Sequence, residues 1–151
     1  MANKDLRDWL NAIDAAGELH TITGANLEED IGGIVDIVQR KMGNPAVMFD
    51  EVPGFPKGHR VMANLLTSVP RINVALGLPP DSSEMDLIQW WRDYMGRAPS
   101  FEPKEVNGGP LLDNVQEGAE VNIKSIPTPV WHEYDGGPFI GTACIVIMKD
   151  P

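Results

Sequence analysis

Leu6, Trp9, Leu10 and Ile13 fall at i, i+3, i+4 and i+7, the spacing that gathers apolar side chains on one face of a helix. Asn3 stands where it can cap that helix and Gly17 where it can stop it. Residues 18–23 alternate weakly and predict a short strand. Asn26 with Glu29 three residues on resembles a capping box. Behind it Leu27, Ile31, Ile34, Val35, Val38 and Met42 make the apolar face of a second helix, which Gly43-Asn44-Pro45 ends. Gly32 and Gly33 fall in its first turns, where each glycine costs about 1 kcal/mol relative to alanine. Such a pair is expected to permit close packing.

Ala46 to Phe49 and Arg60 to Leu65 read as strands, joined by a Pro- and Gly-rich segment over 52–58 that is too irregular for a tight hairpin. Ser68 before Pro70 marks a third helix, with Ile72, Ala75 and Leu76 on one side and Gly77 as its end. A fourth runs from Ser83 to Met95, where Leu87, Ile88, Trp91 and Met95 make one face that Trp90 and Tyr94 widen. From Arg97 the pattern changes. Pro99, Pro103, Gly108, Gly109 and Pro110 break any period, so a boundary is placed between 1–99, an α/β domain, and 100–151. Beyond it Val106, Leu111-Leu112 and Val121 to Ile123 suggest short strands, and Ile126-Pro-Thr-Pro-Val130 must be extended. Ile140 to Met148 reads as a buried strand. The fold class is therefore α+β, with an α/β N-terminal region and a β-rich second part.

Composition narrows the function. The chain has 151 residues, 42% hydrophobic and 23% charged, enough for a sizeable core and ordinary for a soluble protein. Twelve Lys and Arg against twenty-two Asp and Glu give a net charge of −10, which disfavours nucleic acid and anionic membrane as partners. No apolar run is long enough for a membrane span. The N-terminus has no apolar signal core, so a cytoplasmic location is the expectation. Cys144, the single cysteine, lies in the apolar run and reads as a core residue.

Candidate chemistry is sparse. His20, His59 and His132 are the only histidines, and no two stand at a spacing that offers paired metal ligands. His132-Glu133 beside Asp135 has groups for a cation or a proton, but an aromatic and charged cluster before Gly-Gly reads better as a turn with a solvated rim. Gly136-Gly-Pro-Phe-Ile-Gly141 lacks the dinucleotide spacing and precedes a β-like run, so it reads as a turn needing positive φ. Thr142 follows Gly141, so its hydroxyl either faces a pocket or belongs to an ordinary strand. The serines sit at helix starts or in loops with no base in evident reach, and the carboxylates form no acid–base pair. These residues name no reaction.

Several segments together resemble the N-terminal part of the UbiD family, reversible decarboxylases that use prenylated flavin mononucleotide. They are Asp5 to Leu10 with Gly17-Glu18-Leu19, Pro45 to Phe49 with Val52-Pro-Gly54, Asn64-Leu65 with Arg71 and Leu76-Gly77, Ile126-Pro127 through Asp135 to Thr142, and Asp150-Pro151. They occur in the family's order across nearly the whole chain. The resemblance implies that residues up to about Pro99 form the first region and that Glu105 to Pro151 open a split β-barrel that binds the flavin. It implies prenylated FMN and a divalent metal, Mn, in the complete enzyme. The family's metal-binding Asn, His and Glu and its Glu-Arg-Glu acid–base group come after the Asp-Pro at 150–151. No catalytic or metal-binding residue is therefore carried over, and only Thr142 is offered as cofactor-binding.

The expectation is a non-oxidative, reversible decarboxylase of an aromatic or α,β-unsaturated acid, of which this is the N-terminal portion, part of a longer or split protein and inactive alone. Its expected partners are the downstream remainder, or a second copy joined through the terminal strand, and a small carboxylic acid. The rival is a non-catalytic binding module that keeps the family's N-terminal architecture.

Overall fold

The computed structural model describes residues 5–41, 43–97, 105–109 and 112–141. Its elements are helix α1 (Leu6–Ala15), strand β1 (Leu19–Thr23), helix α2 (Asp30–Lys41), strands β2 (Ala46–Asp50) and β3 (Val61–Ala63), and helices α3 (Val69–Ala75) and α4 (Glu84–Met95), followed by 3₁₀ turns at Gly118–Glu120 and Ile123–Ser125. The chain divides into two compact units, one of Met1–Glu18 with Leu66–Ser125 and the other of Leu19–Leu65 with Ile126–Pro151.

In the first unit α1 starts where extended Asp5 accepts the backbone N–H groups of Arg7 and Asp8. The cap is thus Asp5 and not Asn3, which lies outside the described residues. Trp9 and Ile13 form the buried face of α1, and the Trp9 indole donates to the Arg71 carbonyl at 3.4 Å. Ser68 caps α3 through the Arg71 amide, as the Ser-x-Pro pattern predicts. Asn73, also buried, donates to the Ser82 carbonyl at 2.8 Å and ties α3 to the loop before α4. Ser83 and Asp86 form a reciprocal capping box at the start of α4. None of α4 is buried: Leu87 and Trp90 are half-covered and the rest is exposed.

The second unit is built on a three-stranded sheet of order β1-β2-β3. β1 and β2 run parallel with Leu19 opposite Ala46, joined across α2, and β2 and β3 run antiparallel with Met48 opposite Met62. Asn26 does precede α2, but its carboxamide oxygen accepts from the Glu28, Glu29 and Asp30 amides, and the carboxylate that accepts the Asn26 amide in return is that of Asp30 rather than Glu29. The helix accordingly begins at Asp30. Ile31, Val35 and Val38 of α2 pack with Val47, Phe49, Val61 and Ala63 of the sheet, so the i, i+4, i+7 face and the strand alternation meet in one core.

The strands expected near Val106 and over Val121 to Ile123 are not there. Residues 105–109 and 112–126 carry turns and no strand, and every one of them is exposed. Their isolated apolar residues lie between Gly, Pro, Asp and Asn, with no partner strand to complete a ladder. Burial resumes after Ile126. Pro127 and Pro129 are buried, and the Val130 amide donates to the Leu27 carbonyl at 2.9 Å. The strand expected over 140–148, with Cys144 and Thr142 in it, falls outside the described residues beyond Gly141.

Candidate functional site

An open groove of about 650 Å³ in the second unit lies beside the first turns of α2. Glu28, Glu29, Gly32, Gly33 and Asp36 form one wall, and Val130, Trp131, His132 and Glu133 form the other. The walls meet because residue 32 has no side chain: a Cβ there would lie 2.1 Å from the Trp131 carbonyl oxygen. Gly33 has open space at the same position. Of the paired glycines, one therefore serves close packing and the other does not.

Trp131 is held from two directions. Its indole donates to the Phe139 carbonyl at 3.0 Å, and the two rings lie 6.1 Å apart with a 46° tilt. The Phe139 amide returns a bond to the Pro129 carbonyl. Between these points His132 to Asp135 closes a turn in which the Asp135 carboxylate accepts the His132 amide at 2.9 Å, and the Asp135 amide donates to the His132 carbonyl at 3.0 Å. The His132 ring is 3.6 Å from Asp135 and mostly exposed, and Tyr134 is almost wholly exposed. Gly137, at φ 151°, occupies a region that side-chain-bearing residues rarely adopt. The cluster is the solvated turn that its residues suggest.

Among the described residues no three His, Cys, Asp or Glu side chains come together as a metal site. Thr142, the cofactor-binding candidate, lies outside the described residues.

Sequence reasoning missed the most heavily buried charge among the described residues. Arg71 is fully buried, and its guanidinium donates to the Glu18 carboxylate at 2.6 Å and to the Thr67 hydroxyl at 2.7 Å. The Ser68 hydroxyl adds a bond to the same Glu18 oxygen at 3.0 Å. Burial lowers the Arg71 pKa below its ordinary value, and the Glu18 charge opposes that shift. Both residues belong to segments that resemble the family, yet no periodicity links positions so far apart.

Residues 10–91 match the family model described as the 3-octaprenyl-4-hydroxybenzoate carboxy-lyase N-terminal domain. Residues 104–151 match the Rift-related domain of the same carboxy-lyase. The chain belongs to the UbiD family. Among curated relatives, a pyrrole-2-carboxylic acid decarboxylase of Pseudomonas aeruginosa is 31% identical over 97% of this UbiD-family chain and 31% of its own length. A phenolic acid decarboxylase of Escherichia coli O157:H7 is 31% identical over all of this chain and 32% of its own. The chain thus spans about a third of the length of the curated relatives it matches. Among solved structures, vanillic acid decarboxylase of Sedimentibacter hydroxybenzoicus superposes with TM-scores of 0.79 in an open form and 0.80 in the closed form, at 25% and 26% identity, over 91% of this chain and about 30% of that one.

The acid-lined groove does not fit the flavin nucleotide that this UbiD resemblance implies. A phosphate placed there would meet Glu28, Glu29, Asp36 and Glu133, and like charges at contact distance repel.

Proposed function

We propose that this chain supplies the N-terminal α/β domain, over residues 1–99, and the opening of a flavin-binding split β-barrel, over 100–151, of a reversible, non-oxidative decarboxylase. The observation that carries this reading is the ordered pair of domain matches at 10–91 and 104–151, to which the three decarboxylases of similar sequence or fold add a reaction class. The substrate class is an aromatic or α,β-unsaturated carboxylic acid. Loss of carbon dioxide breaks the bond to the carboxylate carbon and leaves an electron pair that must be held until a proton replaces it, so the complete centre needs an electron sink and a proton donor. In this reading prenylated FMN would supply the sink in the complete enzyme, a divalent metal, Mn, would accompany it, and Thr142 would be the residue of this chain that helps hold the flavin. Further polypeptide supplies the metal ligands and the proton donor, so the 151 residues alone do not turn over the acid.

The test grafts residues 1–151 onto the Pseudomonas aeruginosa relative in place of its matching segment, in cells that make the prenylated flavin. Flavin absorbance and carbon dioxide release are measured for the graft, the parent and the 151-residue chain. A graft that carries flavin and releases carbon dioxide, beside an inactive isolated chain, supports the proposal. A folded graft without flavin or turnover, or turnover by the isolated chain, overturns it.

A further inference from the structure

Helix α4 has an exposed apolar face whose Glu84–Arg92 stretch is self-complementary about Ile88. At 3.6 residues per turn, Met85, Ile88, Trp91 and Met95 fall within an arc of about 120°, and they are 67%, 60%, 52% and 59% exposed. The helix is firmly begun by its Ser83–Asp86 capping box, so the strip is presented on an ordered element. About Ile88 the pattern reads alike in both directions: Met85 stands three residues before it and Trp91 three after, Glu84 four before and Arg92 four after. Glu84 and Arg92 are both exposed and share the face of the strip.

We propose that this face pairs with the same face of a second copy of the chain, the two α4 helices running antiparallel about a two-fold axis at Ile88. In that register Ile88 meets Ile88, Met85 packs on Trp91 of the second copy, and Glu84 faces Arg92 of the second copy, twice over. A two-fold interface must be self-complementary in this way, and antiparallel helices also oppose their dipoles favourably. Tryptophan and methionine are the apolar residues that interfaces favour. Among the described residues the ion-pair partner of Arg92 is its neighbour Asp93 at 3.9 Å, a long contact that the second copy's Glu84 can better. The strip offers on the order of 400 Å² per copy, about half of what a standard stable interface buries on each side. The dimer is therefore weak and concentration-dependent. It uses a different surface from the terminal strand, and it does not rest on the decarboxylase reading.

Sedimentation velocity of the 151-residue chain, from about 1 to about 500 μM, tests it. The wild type is expected to shift from monomer to dimer across that range. Ile88→Glu or Met85→Glu abolishes the shift while the far-ultraviolet circular dichroism stays that of the wild type. Glu84→Arg and Arg92→Glu each weaken dimerisation about tenfold, because each change occurs twice, and the two together restore it. A wild type that stays monomeric at the highest concentration overturns the proposal and points to further polypeptide as the cover of α4. So does a dimer that Ile88→Glu leaves intact, or a double charge swap no better than the single ones.

Discussion

The carbonyl oxygen of Trp131 occupies the space that a side chain at Gly32 would need, 2.1 Å from where its Cβ would stand. Backbone of a late segment thus seats directly on the first turn of α2, and the Val130 to Leu27 hydrogen bond runs alongside it. Gly32→Ala is expected to destabilise the protein by about 1–3 kcal/mol, since neither backbone can yield cheaply. Gly33→Ala, with open space around it, is expected to stabilise by about 0.4–1 kcal/mol through the unfolded chain. Urea unfolding of the two variants checks the contrast; equal effects would refute the close approach.

Arg71 has no exposure and depends on Glu18 for its counter-charge. Glu18→Ala removes the carboxylate from beside that buried charge and is expected to cost about 3 kcal/mol. Replacing both partners, as Glu18→Leu with Arg71→Met, should cost much less, because no unpaired charge remains. Thermal unfolding of the single and double variants reads this coupling, and additive effects would exclude it.

Two helix starts carry a pH signature. Asp86 is held below its ordinary pKa of 3.8 by the Ser83 hydroxyl and amide, and Asp5 by the Asp8 amide and other contacts around Arg7. A carboxyl depressed in the folded chain stabilises it fully above the unfolded value and loses that contribution as the pH falls through the folded one. Helix content should therefore hold down to about pH 4 and decline below it. Ser83→Ala, which removes a cap worth about 1 kcal/mol, should also return Asp86 toward its ordinary value. Carbon-detected titration of the Asp86 carboxyl in the wild type and Ser83→Ala follows both effects; an unchanged midpoint would contradict the capping box.

Asn64 joins strain to hydrogen bonding. It sits at φ 58°, receives the Gln39 carboxamide at 2.7 Å and donates to the Pro45 carbonyl at 3.3 Å. Asn64→Gly loses both bonds but keeps an easy left-handed backbone, whereas Asn64→Ala loses them and adds about 1 kcal/mol of strain. Chemical denaturation should rank wild type above Asn64→Gly, and Asn64→Gly above Asn64→Ala.

Local physics was legible in the sequence. The face of α1 with Trp9 and Ile13, the caps Ser68 and Ser83, and the strand over Ala46 to Phe49 all follow from neighbours a few residues apart. Asp5 displaced Asn3 as the cap of α1 because two competent residues stand close together and only the geometry of the first turn chooses between them. Val106, Val121 and Ile123 misled because apolar character suggests a strand while pairing requires a second one. Contacts across the chain were not legible: Glu18 and Arg71 lie 53 residues apart, and only the unusual Gly32-Gly33 pair hinted that backbone would arrive from elsewhere. Thr142 was reached through resemblance alone.

Each compact unit is drawn from two separate stretches of chain, and this bears on synthesis. The ribosome delivers α1 and then the whole β1-to-β3 stretch before Leu66 onward can join α1, while the Pro127–Trp131 seat for α2 emerges only after the 66–125 stretch. Folding that ordinarily keeps pace with translation, domain by domain, must here wait for the closing stretch of each unit. Until then Trp9 and Ile31 lack their final neighbours, and the growing chain is most open to chaperones and proteases.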